Sequence, residues 1–321
     1  MTRLMRNIAA VPLVAGLALV GGLGASPARA IDWNSVQGKE VVLFYPGQAS
    51  FEWALTQSDH SGAPKFREGK NCEECHRGEE AKIGDLIVSG KKLEPNPIPG
   101  KRGSIKSTVK IAHDADRLYV RIEWPDGPPL SAPHMDKEFE VKATVMIGTD
   151  AVVEAKRAGC WGSCHDDAIG MASDPPNADL TKYLARSRTK ITRQGGGENF
   201  KPASDIQKLL NDGIFLEFWQ ARLNKGKPAV PAGGYILDKR HQLDNPPVAA
   251  EASFANGMWT VVLSRKLVMG QPGHNDLVPG QTYHIGFAIH DAYAEHRFHH
   301  VTFGYSLVLD SGSADFVAAK Q

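Results

Sequence analysis

The sequence predicts a mainly β fold: an antiparallel β-sandwich with a loop-rich segment in front of it and a long insertion within it. Three observations carry this. Apolar residues alternate with polar ones in short runs on both sides of the insertion, the period of a half-buried strand. Turn-forming residues fall between those runs where a hairpin needs them. No alternating helices separate the runs, which argues against a parallel βαβ sheet.

Residues 1–30 read as an export signal. Arg3 and Arg6 make a basic start, an apolar run covers residues 8–23, and Ala28-Arg29-Ala30 has the small-x-small form of a cleavage site. The run is short for a span of about 20 residues, so a cleaved leader is expected rather than an anchor, with the mature chain starting near Ile31. No transmembrane span is expected in the mature chain. Of the 37 Lys and Arg, three (Arg3, Arg6, Arg29) lie in the leader, which leaves 34 against 36 Asp and Glu, a net charge of −2. No basic block exists to neutralise phosphates, so no nucleic-acid partner is expected.

Residues 31–104 are poor in periodic apolar residues and include Pro95-Asn96-Pro97-Ile98-Pro99-Gly100, which suggests a segment organised by a cofactor. The sandwich is expected over 105–321. Val109 and Ile111, then Leu118, Val120, Ile122 and Trp124, flank the turn His113-Asp114-Ala115-Asp116 and predict a hairpin. Val141, Ala143, Val145 and Ile147 alternate again. Residues 249–254 and 259–263 flank Asn256-Gly257, a pair suited to a type I′ turn. Tyr283, Ile285, Phe287 and Ile289 make another strand, and Val301, Phe303, Tyr305, Leu307 and Leu309 read as a single last one. The middle, 160–245, is polar and rich in Gly and Pro, with a short helix expected at 204–211. It reads as the insertion, and a structureless stretch of that length implies a function.

The four cysteines point to that function. Disulfides are the default in an exported chain. These four, however, form two close pairs, each followed at once by histidine, and such short loops gain little from crosslinking. The first pair, Cys72-Glu73-Glu74-Cys75-His76, has the C-x-x-C-H spacing of covalent c-type haem attachment. One turn of chain presents both thiols to the porphyrin vinyl groups, and His76 gives a nitrogen to the iron. A redox dithiol would require a thioredoxin-like βαβ setting, and a zinc site would require Cys160 and Cys164 to complete it. The second pair, Cys160-Trp161-Gly162-Ser163-Cys164-His165, has one residue more between the thiols, and Gly162 permits the bulge this demands. A local disulfide or two buried thiols are its alternatives.

Two covalent haem c groups are therefore expected, attached by Cys72, Cys75, Cys160 and Cys164, with His76 and His165 on the irons. His60 is the expected distal ligand of the first. For the second, His296-Arg297-Phe298-His299-His300 stands out among twelve histidines, with His290 and His284 before it; Met135, Met146 and Met171 are thioether alternatives. Strand parity groups His299 with Val301, Phe303 and Tyr305, and His300 with Thr302 and Gly304, which leaves the two open.

Three segments carry a resemblance: His113-Asp114-Ala115-Asp116-Arg117-Leu118-Tyr119 with its strand ending at Trp124; the hairpin Phe254-Ala255-Asn256-Gly257-Met258-Trp259 continuing through Arg265; and Ile285-Gly286-Phe287-Ala288-Ile289-His290-Asp291. In this order they resemble the haem-binding domain of the ethylbenzene dehydrogenase gamma subunit and related type II dimethyl-sulfoxide-reductase-family proteins. The resemblance implies a sandwich that grips one haem and passes electrons. Those gamma subunits hold haem b through Met and Lys, whereas this chain has Cys160, Cys164 and His165 in the matching region and His299-His300 where the family places Lys. The front haem segment resembles that of exported dihaem members of the wider family. The expected role is electron transfer between redox partners in the periplasm, a membrane cytochrome b or a molybdenum oxidoreductase among them. The alternatives are a haem enzyme with one open coordination position, and a binding sandwich whose cysteines are structural.

Overall fold

Side-chain alternation along the strands sets both the core of this protein and the surface on which its cofactor motifs rest. The computed structural model describes residues 31–321, which form one compact unit; the expected export signal lies outside the described residues. Its strands are β1 (Lys39–Phe44), β2 (Ser104–His113), β3 (Arg117–Pro125), β4 (Val141–Thr149), β5 (Leu216–Leu223), β6 (Val230–Ile236), β7 (Arg240–Gln242), β8 (Val248–Ala255), β9 (Met258–Lys266), β10 (Tyr283–His290), β11 (His300–Val301), β12 (Tyr305–Leu309) and β13 (Phe316–Lys320). The helices are short: α1 (Phe51–Leu55), α2 (Ala63–Arg67), α3 (Glu73–His76), α4 (Glu80–Val88), α5 (Val153–Ala158) and α6 (Ala203–Asn211), with a 3₁₀ turn at Gly159–Ser163.

The fold is mainly β, as the alternation predicts. One leaf runs β7-β6-β5-β4-β10 and the other β2-β3-β9-β8. Two bridges join β10 to β2, one through β11 and β1, the other through β12 and β13. The second bridge contains the parallel pairs β12–β13 and β13–β2, and the first draws β1, from the front segment, into the sheet. Both predicted hairpins form. His113 pairs with Leu118, and Ala255 pairs with Met258 across Asn256 (φ 51) and Gly257 (φ 76), the two positive φ values that a type I′ turn requires.

The insertion is shorter than the sequence suggests. Residues 216–242 are β5, β6 and β7, three strands of the first leaf. In β5 nearly every residue is buried, so it has no alternation to read. In β6, Pro231, Gly233 and Gly234 mask the pattern; a Cβ on Gly234 would fall 1.9 Å from the His241 carbonyl oxygen, so β7 lies too close for any side chain there.

The single last strand is in fact two. Thr302 interrupts it: its N–H donates to the Phe287 carbonyl (2.9 Å), and its Oγ1 accepts the Phe287 N–H (3.0 Å) in place of a backbone carbonyl. Val301 and Phe303 therefore pack on one side of the sheet, while Tyr305 and Leu307 pack on the other despite equal parity.

The inner core lies between the leaves and contains Val145, Ile147, Trp219, Ile285 and Phe287 of the first, facing Val120, Ile122, Val261 and Leu263 of the second. The intervening residues of β4, β5 and β10 form the outer face: Lys142, Thr144 and Met146; Phe218, Gln220 and Arg222; Gly286, Ala288 and His290. A second apolar layer covers part of it, built from α5, the 3₁₀ turn and α1. Two glycines permit this contact. A Cβ on Gly304 would lie 2.8 Å from the Ala155 carbonyl oxygen, and one on Gly286 would press the Cys160 nitrogen at 3.2 Å.

Candidate cofactor sites

The first motif forms α3. Asn71 Oδ1 accepts the Glu74 N–H (2.7 Å), and the Cys72 N–H donates to the Arg157 carbonyl (2.9 Å), which fixes the turn against α5. Cys72, Cys75, His76 and His60 all border one cavity of about 540 Å³, within the range of small-molecule and cofactor sites. Its walls are apolar, with Trp53, Phe66, Ile83, Trp161 and Phe303 among them.

The two imidazoles are set alike. His60 Nδ1–H donates to the Ala54 carbonyl (3.0 Å), and His76 Nδ1–H to Glu79 Oε2 (3.1 Å). Neither Nε2 has a protein partner among the described residues. The ring centroids are 6.0 Å apart. Metal–imidazole bonds of about 2.0–2.1 Å put two rings on one metal about 6 Å apart, centroid to centroid. The residues present therefore fit a haem held by two thioethers between two histidines.

The second motif starts in the 3₁₀ turn and is buried except at Cys164, which is half-buried. Cys164 borders a cavity of about 320 Å³, and Cys160 an adjoining one of about 40 Å³; His290 and His299 border both. The floor is the outer face of β4, β5 and β10. His299 Nδ1–H donates to the His296 carbonyl (2.6 Å), and His290 Nε2–H to the same carbonyl (3.1 Å). The two rings stack at 4.4 Å, and His290 Nδ1 is buried without a partner. Burial above all, with neighbouring positive groups, holds both imidazoles well below the ordinary histidine range, so both are neutral and can give a lone pair to a metal.

Two expected ligands are placed elsewhere. His165 has both nitrogens engaged, Nδ1 with Glu52 Oε1 (2.5 Å) and Nε2–H with the Tyr183 carbonyl (3.0 Å), and its ring stacks on Tyr183 at 3.6 Å. Glu52 also accepts the Asp166 N–H (2.9 Å), so the pair anchors the motif to α1 rather than facing the cavity. His300 donates from Nε2 to the Arg102 carbonyl (2.8 Å) and sits beside Asp291, bordering neither cavity. His284 binds Asp150 (2.9 Å). Met171 borders the second cavity and Met146 its extension, whereas Met135 lies away from both. Lys182, which no motif marks, borders both parts.

The disulfide, redox-dithiol and zinc readings of the cysteines find less support. None of the four is paired in a disulfide. Burial pushes Cys72 up to about 12 and Cys160 up to about 11, the opposite of an activated dithiol. Among the described residues, no three of His, Cys, Asp and Glu gather as a metal-ion site.

A family model described as ethylbenzene dehydrogenase matches residues 227–302, from β6 through His290, His296, His299 and His300. Cytochrome c-552 of Stutzerimonas stutzeri is 36% identical over 315 residues, covering 97% of this chain and 97% of that protein. Cytochrome c-551 of Rhodocyclus tenuis is 31% identical over 294 residues, 90% of this chain and 99% of that one. The chain belongs to the c-type cytochromes of this ethylbenzene dehydrogenase-related family. Among solved structures, a carbohydrate binding module of family 9 from Caldicellulosiruptor kristjanssonii with cellotriose aligns at a TM-score of 0.28 and 10% identity, over 64% of this chain and 70% of that one, too faint a likeness to bear on function. The cytochrome accordingly binds haem c covalently and transfers electrons with redox partners. Among the described residues, no helix is long and apolar enough to cross a membrane.

Proposed function

We propose that the cytochrome holds two haem c groups and carries electrons between redox partners of the periplasm, a membrane cytochrome b or a molybdenum oxidoreductase among them. The observation that carries this reading is the presence of two separate cavity regions on one scaffold, the first bordered by Cys72 and Cys75, the second by Cys164 with Cys160 on its adjoining part, and each by imidazole with an unpartnered nitrogen. At the first, Cys72 and Cys75 attach the group, and His76 and His60 ligate it. At the second, Cys160 and Cys164 attach it, and His299 takes the ligand role that the sequence assigns to His165. Haem would supply a one-electron centre, and an iron held by both His60 and His76 would leave no position for a substrate at the first site.

The chain's own residues hold that arrangement. Acceptors at Ala54, Glu79 and His296 fix each Nδ1–H, which orients the ring and raises the basicity of the other nitrogen. The basic start, apolar run and Ala28-Arg29-Ala30 support export to the periplasm.

The test is haem staining after denaturing electrophoresis, together with the reduced absorption spectrum and haem quantification. Two covalent haems per chain support the reading. A single haem contradicts it.

A further inference from the structure

We propose that Trp161 is the electronic coupling element between the two haem sites, a role that rests on the two-haem reading above. Trp161 is buried and forms part of the wall of the first cavity. Its backbone belongs to the second motif. The peptide bond before it joins it to Cys160, and its carbonyl accepts the Cys164 N–H at 2.8 Å. One residue is thus covalently next to one attachment cysteine of the second site, hydrogen-bonded to the other, and in contact with the first site through an aromatic ring.

The ring is held in place. Its Nε1–H donates to the Ala49 carbonyl at 3.1 Å, it is 5% exposed, and it packs within the same apolar layer as Phe44, Phe66 and Phe303. Electron tunnelling decays steeply with distance and is carried better through bonds than across gaps. From the Cys160 sulfur the path runs through Cβ, Cα and one peptide unit to the indole without leaving covalent bonds. Phe303 also borders the first cavity, but it meets the turn of the second motif through space, where the backbone of Phe303 and Gly304 lies against Gly159, and not through a covalent link. In the step itself one electron leaves the reduced iron of one site and arrives at the oxidised iron of the other. No bond forms or breaks and no proton moves.

The test uses the full holoprotein and the variants Trp161→Leu and Trp161→Phe. A substoichiometric one-electron reductant is mixed rapidly, and freeze-quench electron paramagnetic resonance follows the two irons, with haem content and both midpoint potentials measured alongside. The expected result is transfer between the irons that is several-fold slower in Trp161→Leu at unchanged potentials, with Trp161→Phe in between. Transfer at the wild-type rate in Trp161→Leu overturns the proposal. Should Trp161→Leu fail to hold both haems, Trp161→Phe decides in the same way, slower supporting the role and an equal rate overturning it. A wild-type chain with one haem overturns the two-haem reading instead, and the haem count reveals that before any rate is measured.

Discussion

His60 and His76 border one cavity with ring centroids 6.0 Å apart, each Nδ1–H tied to a protein acceptor. They come from different elements: His60 from the turn between α1 and α2, His76 from the end of α3. Replacing His60 with Met exchanges an imidazole for a thioether, which raises the potential of a c-haem. The expected outcome of His60→Met is an altered spectrum and a higher midpoint potential for one haem only, read by redox titration. An unchanged first haem removes His60 from the iron.

The second iron separates two histidines. His299→Ala removes a nitrogen that borders the cavity, and a high-spin signal should appear while covalent haem content stays constant. His165→Gln should leave the spin state of the iron unchanged. Its effect falls on stability, because it breaks the buried contact with Glu52, and leaving a buried acceptor without its partner costs about 1–3 kcal/mol. Electron paramagnetic resonance and denaturant titration of both variants check this. A high-spin signal in His165→Gln and none in His299→Ala would return the ligand role to His165.

What the sequence discloses follows the range of the interactions involved. The first site is legible because Cys72, Cys75 and His76 act within one turn of chain, and the hairpin at Asn256-Gly257 because two residues set it. β5 is hidden because both its faces are buried, and β13 because its parallel partners β2 and β12 reach it only in the folded chain. The face switch at Thr302 depends on Phe287, far away in sequence, and it defeats a parity argument for His299 and His300. His165 follows Cys164 as a ligand should, but Glu52, more than a hundred residues earlier, holds it. No local signal marks that carboxylate. Trp161 was visible inside its motif, but not the cavity its indole would line.

Glu217 tests the sandwich apart from its cofactors. It is 1% exposed, pairs with the fully buried Arg265 at 2.9 and 3.0 Å, and accepts from Trp219 Nε1–H (2.8 Å) and the Asn275 N–H (2.8 Å). Glu217→Ala leaves a guanidinium buried without its charge partner, which costs about 3–5 kcal/mol. Denaturant unfolding should show that loss, with both haem spectra unchanged in the folded protein. A cost within about 0.5 kcal/mol, the range of ordinary surface substitutions, would mean that Arg265 is satisfied by its backbone acceptors alone.

Intact mass spectrometry of the purified protein counts the covalent haems on one chain. The expected species is a polypeptide starting near Ile31 that carries the mass of two haems, and one haem fewer when Cys160 and Cys164 are both replaced by Ala. A wild-type mass with a single haem, or a double variant that retains the wild-type haem mass, overturns the two-haem reading.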